Sequence, residues 1–320
     1  MNSVDGVTDP VPGHHLLVAS TGGHLAELDR WSRAIGSSPD SLWVTSESVQ
    51  SSSMLRGRRV LSLPYVAPRD AAGSARAFIR MMREIDWKGE GFTSAVTTGA
   101  ALGVVGLAGA RLHGIPAFYY ESVSRVNGPS LSGRLAALDP GITKLCQYEH
   151  WAKSGWSFRQ SLFDAFSAVP KAPVGSPRLF VTLGTIHPYR FDAMVDAVLS
   201  SGLADSNTVW QLGATQRRDL PGTSVTQLSS AEFEDASTSA DVVITHAGVG
   251  TIMNLLEMGI SPVVTPRRAV RHEHVDDHQS QIAGLLRSRK ITYVAEVEQL
   301  NSEAIFAASR IAIQRIRAAS

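Results

Sequence analysis

His15-Leu16-Leu17-Val18-Ala19-Ser20-Thr21-Gly22-Gly23-His24-Leu25-Ala26-Glu27-Leu28 is the stretch that decides the fold. A short apolar run at 16–19 passes through a glycine turn into a helical pattern, which is the opening βα unit of a parallel-sheet domain. Glycine lets backbone N–H groups crowd together at the helix start, where the peptide dipoles favour an anion such as a diphosphate. His24 stands at the same helix start, and an imidazole that titrates near neutrality suits a general base. The spacing is not the G-x-G-x-x-G of dinucleotide folds.

Working outward, the pattern recurs. Apolar runs at 41–45, 95–98 and 117–120 predict further strands alternating with helices. Prolines 170, 173 and 177 then forbid a continuing helix, so 169–177 reads as a linker. A second series follows, with strands at 178–183, 208–212, 242–245 and 262–265, a helix at 191–199 and a C-terminal helix from Ser302. The fold class is therefore α/β, with two Rossmann-like domains of parallel strands. Residues 1–14 are expected to form a flexible tail, 15–168 the first domain and 178–320 the second. Such sheets bind ligands beyond the C-terminal ends of their strands.

Bulk composition limits the function classes. A chain of 320 residues suits two domains, and 43% hydrophobic with 18% charged residues supports a full core. A formal charge of +1 gives no general basis for binding nucleic acid. Cys146 is the sole cysteine, which excludes a disulfide framework and suits a reducing, cytoplasmic setting. The first residues carry Asp5 and Asp9 and lack the pattern of a signal peptide, and the apolar stretch at 100–110 is too short to span a bilayer.

Several other motifs fall at predicted strand ends. Val181-Thr182-Leu183-Gly184-Thr185 offers N–H groups and a hydroxyl to a phosphate. Thr245-His246-Ala247-Gly248-Val249-Gly250-Thr251 leads from a buried strand into a helix bearing Glu257, and its small residues would admit a phosphate while Glu257 could bind a ribose diol. Arg267, Arg268 and Arg271 offer positive charge, and Asp277, His278 and Gln279 at a helix start could hydrogen-bond hydroxyls. A metal site is the rival reading of His272, His274 and His278, but Val275 stands where H-E-x-x-H has its Glu. Tyr119-Tyr120-Glu121-Ser122 ends a strand and leads to Arg125, Asn127 and Gly128, so Glu121 could assist a deprotonation or bind an acceptor.

In combination these motifs resemble the MurG-like glycosyltransferases, and more closely the two-part transferases of N-glycan assembly and bacterial exopolysaccharide synthesis, here fused with the acceptor half first. The resemblance runs through Ser20 to Leu28, Tyr119 to Val126, Phe180 to Thr185, His246-Ala247-Gly248 with Glu257, and Asp277-His278-Gln279. It implies a GT-B fold with a central cleft and an inverting, metal-independent reaction that needs no cofactor. The implied donor is a UDP-sugar (GlcNAc, glucose or glucuronic acid) and the implied acceptor a lipid-linked saccharide on a polyprenyl diphosphate. On this resemblance His24 or Glu121 is the base, and Gly22, Gly23, Ser122, Arg125 and Asn127 face the acceptor. Gly184, Thr185, Gly248 and Gly250 hold the diphosphate, Glu257 the ribose, and His278 and Gln279 the sugar, with His246, Thr251, Arg267 and Asp277 also on the donor side.

No counterpart of the membrane anchor of the eukaryotic acceptor half is expected here. The arginine-rich stretch 54–83, which mixes Phe78, Ile79, Met81 and Met82 with basic residues, is the expected peripheral contact with the inner face of the cytoplasmic membrane. Two other classes are a catalytically silent UDP-sugar-binding partner subunit and a metal-dependent hydrolase.

Overall fold

The computed structural model describes residues 9–67, 70–184, 188–274 and 277–316, without the side chain of His278. The chain divides into two units between Leu162 and Phe163.

The first unit is a seven-stranded parallel sheet in the order β3-β2-β1-β4-β5-β6-β7. Its strands are β1 (His15–Val18), β2 (Leu42–Ser46), β3 (Arg59–Leu63), β4 (Ser94–Thr97), β5 (Ala117–Tyr120), β6 (Ile142–Cys146) and β7 (Trp156–Phe158). The four central strands β1, β2, β4 and β5 are buried along their whole length, as strands covered on both faces must be. Helices α1 (Gly23–Ala34), α2 (Val49–Met54), α3 (Ala71–Glu84), α4 (Ala100–Leu112) and α5 (Leu131–Ala136) fill the connections. α4 lies close on the sheet through glycines: a Cβ at Gly106 would stand 2.7 Å from Val18 Cγ2. Strand order reverses between β1 and β4, so the ligand crevice of this unit lies beyond those two strand ends.

The second unit holds a six-stranded parallel sheet in the order β11-β10-β9-β12-β13-β14. Its strands are β9 (Leu179–Thr182), β10 (Val209–Gln211), β11 (Thr223–Val225), β12 (Val242–His246), β13 (Val263–Thr265) and β14 (Tyr293–Val294). Its helices are α6 (Asp192–Ser200), α7 (Ser230–Ser239), α8 (Val249–Glu257), α9 (His278–Arg289) and α10 (Ser302–Ser309). The order reverses between β9 and β12, which repeats the design of the first unit. Trp210, Phe191, Met194 and Ile305 anchor its core.

Three expectations need correction. The stretch expected as a linker begins inside β8 (Phe166–Pro170), which pairs antiparallel with β15 (Ile311–Arg315). Pro170 is tolerated because it sits at the end of a strand in a two-stranded sheet. The C-terminal helix stops at Ser309, and the chain returns as β15. The expected tail is tied down from Asp9 onward: Arg159 pairs with Asp9 at 2.6 Å, and the His15 ring bonds the Val11 carbonyl at 2.9 Å.

Candidate active site

In the first unit, β1 ends in the turn carrying Gly22 and Gly23, with open space where a Cβ would stand at either residue. The Gly22 N–H is already taken, because it donates to Gln50 Oε1 at 2.6 Å while Gln50 Nε2 donates back to the Gly22 carbonyl. The N–H groups expected to meet an anion are therefore those of the first turn of α1 rather than that of Gly22. Gly22 itself adopts φ +91, a backbone state that glycine enters freely.

His24 reaches across the switch point to the loop after β4. Its Nδ1 lies 2.9 Å from the Thr98 carbonyl, and Thr98 Oγ1 donates to the His24 carbonyl at 2.7 Å. A carbonyl only accepts, so Nδ1 carries the proton and Nε2 keeps its lone pair. Burial holds the ring pKa below its ordinary value, and Arg125 adds to that effect. Gly99 keeps this corner open, since a Cβ there would lie 2.8 Å from Tyr119 Oη and 3.1 Å from His24 Cε1.

Glu121 is fully buried at the end of β5. One carboxylate oxygen accepts from Ser130 N and Oγ at 2.9 and 3.1 Å, and the other from Ser122 N at 3.3 Å. Burial raises its pKa against those bonds and the nearby Arg125. Gly133 of α5 presses on it so closely that a Cβ would stand 2.2 Å from Oε2. Glu121 is thus enclosed by the α5 N-terminus, whereas Arg125 and Asn127 are exposed on the loop beyond Ser122.

The second unit gathers its motif around His246. The imidazole lies between two glycines: a Cβ at Gly184 would be 2.5 Å from Nε2, and one at Gly248 would be 2.0 Å from Cε1. Both glycines, expected to admit phosphate, are required first to house this ring. Burial, Arg267 and His274 lower its pKa to about 3, so it is neutral at physiological pH.

Arg267 departs from its expected role. It is 0% exposed, and its guanidinium donates to the carbonyls of Leu183, Tyr189, Arg190 and Glu273 while lying 4.9 Å over the Phe191 ring. It staples the β9–α6 connection to the segment after β13, and none of those bonds points to a ligand. Gln279 is 3% exposed, accepts from Arg267 N at 3.1 Å and lies 3.5 Å from His246 Nδ1, so it links the two buried groups instead of facing outward. Asp277 is exposed and accepts from Ala269 N at 2.9 Å. Thr185 and the His278 side chain lie outside the described residues.

Gly250, Thr251 and Glu257 lie on α8, which starts at Val249 after the Gly248 cap. Thr251, Asn254 and Glu257 share one face at three-residue spacing and line a cleft of about 410 Å³ closed by Gln211, Ser229 and Phe233. Asn254, Gln211 and Ser229 were not singled out from the sequence. The three-residue spacing from Thr251 to Glu257 is the signal that could have found Asn254, but the other two come from a distant strand end and loop. A second cleft of about 430 Å³, bounded by Arg190, Asp192, Arg271 and His272, lies beside the Arg267 staple.

Two doubly wound units, each with a glycine-rich turn at its switch point, define the GT-B class. MurG of Acinetobacter baumannii shares this fold with a TM-score of 0.55 at 16% identity, covering 92% of this chain and 89% of that one. The spinosyn forosaminyltransferase SpnP does so with a TM-score of 0.57 at 12% identity and 92% of both chains. Residues 204–305 match the glycosyltransferase family 28 C-terminal domain. A stretch of 74 residues is 36% identical to the UDP-N-acetylglucosamine transferase subunit ALG13 of Cryptococcus neoformans. It covers 22% of this chain and 35% of that protein, so the match spans about a third of the relative's length.

Proposed function

We propose that this protein transfers a sugar from a UDP-sugar to a hydroxyl of a lipid-linked saccharide, with inversion and without a catalytic metal. The observation that carries the reading is the His24 geometry. Nδ1–H is held by the Thr98 carbonyl, which leaves Nε2 to take the acceptor proton. Both Glu121 oxygens are occupied and enclosed, which favours His24 as the base and Glu121 as the brace of the acceptor loop. The nucleoside fits the cleft along α8, with Asn254 and Glu257 as ribose partners and the N–H groups after Gly248 facing the diphosphate. Negative charge developing on the departing UDP is met there by fixed dipoles.

Membrane contact is proposed on the first unit. Among the described residues no helix is long and apolar enough to cross a bilayer. α3 turns Gly73, Ala77 and Met81 inward, and leaves Arg76, Ile79 and Arg83 exposed for an anionic surface. The test is a transfer assay with polyprenyl-diphosphate saccharide and each UDP-sugar in turn, with and without EDTA. Release of UDP with growth of the acceptor, unchanged by EDTA, is the expected result. Hydrolysis that EDTA abolishes would replace this reading with the metal-dependent one.

A further inference from the structure

Glu27 is a buried carboxylate that the reaction as drawn does not use. It lies three residues after His24 on α1, so the two share a helix face, and it is 2% exposed. Its Oε1 accepts from Ser122 Oγ at 2.6 Å and its Oε2 from Val123 N at 3.0 Å. Ser122 in turn lies 2.9 Å from Ser124 Oγ and donates its N–H to Glu121. α1 is therefore stitched at one turn to the loop after β4, through His24, and at the next turn to the loop after β5, through Glu27. The β5 loop is the segment that carries the exposed Arg125 and Asn127, whereas Ser122, expected to face the acceptor, is 5% exposed and turns its hydroxyl to Glu27.

We infer that Glu27 is a positioning residue: its two bonds hold the 122–125 loop in register with His24. The inference rests on the proposed transfer reaction only for its catalytic consequence. A carboxylate accepts both bonds, whereas a carboxylic acid must turn its own O–H toward Ser122 and reverse the hydroxyl chain. Burial pushes the Glu27 carboxyl up to about 7, against the Ser122 and Val123 bonds and Arg30, with Glu121 adding to the rise. Among the described residues the other charged or titratable groups beside this cluster include His24 on α1, Arg125 on the loop, Tyr119 and Cys146, which feel the Glu121 charge, and Tyr148 after β6, whose hydroxyl donates to the Val123 carbonyl.

The test is Glu27→Gln in the full chain, which keeps size and one acceptor but fixes the group neutral. Amide hydrogen exchange at Val123, corrected for intrinsic rate, is expected to quicken about tenfold at pH 8 relative to wild type, with α1 unchanged. In the transfer assay kcat is expected to fall about tenfold at pH 8, while KM for the UDP-sugar stays within twofold. Unchanged Val123 exchange together with an unchanged kcat overturns the inference. Quickened exchange in a chain that transfers no sugar keeps the clamp and rejects the function. Should the variant not fold, Glu27→Asp, which keeps the carboxylate but draws it back by one methylene, takes its place with the same two readouts.

Discussion

His24 can act as a base only while Nε2 is unprotonated, and burial, with Arg125 adding to it, favours that state against the Thr98 bond, which fixes the tautomer. Replacing His24 with Asn should lower kcat by about 10²–10⁴ and leave UDP affinity unchanged, as read by steady-state kinetics and calorimetry. His246 and Glu27 make opposite contributions to stability. A histidine whose folded pKa is about 3 contributes stability that is fully present above 6.5 and is lost as pH falls toward 3. A carboxyl raised from 4.5 to about 7 binds more protons folded than unfolded, so stability declines as pH rises through that window, by at most about 3 kcal/mol. Denaturant melts at pH 5 and pH 8 should show that Glu27→Gln loses this decline and that wild type keeps it. The residue types at these positions were legible in the sequence, but their directions were not. Arg267 and Gln279 read as ligand groups because polar side chains near a glycine turn look alike until burial is known, and both prove to be inward staples.

At the scale of elements, the two switch-point turns are built differently. The first leaves open space above Gly22 and Gly23, while in the second His246 fills the space beside Gly184 and Gly248. Gly248→Ala should therefore displace the imidazole and cost about 1–3 kcal/mol in denaturant unfolding. Gly23→Ala, with nothing within 4 Å of its Cβ, should unfold like wild type. The central strands were legible because a doubly covered strand is a continuous apolar run, and β5 falls where 117–120 was read. β3, β6, β7, β8, β11, β14 and β15 were missed; all but β6 lie at a sheet edge or in the two-stranded sheet, and partly exposed strands such as β3, β11 and β15 carry little hydrophobic signal. α8 was read from its glycine cap, but the use of its Thr251-Asn254-Glu257 face depends on which loop closes over it.

At the scale of the whole molecule, two Rossmann-like units could be read from the repeated βα pattern, but their boundary could not. Prolines mark a break in helix, and a short antiparallel strand tolerates them equally well, so β8 was taken for a linker. A fragment beginning at Phe163 should consequently melt higher than one beginning at Arg178, because only the former keeps β8 against β15; circular dichroism melts would decide. The central claim is that a uridine nucleotide is the ligand, and it is tested most directly by thermal shift of the full chain with UDP, several UDP-sugars, NAD and zinc. A ligand bound only by the folded state raises the melting temperature. The account predicts a rise of several degrees with UDP and with one UDP-sugar. A response to zinc or NAD with none to any uridine nucleotide would contradict it.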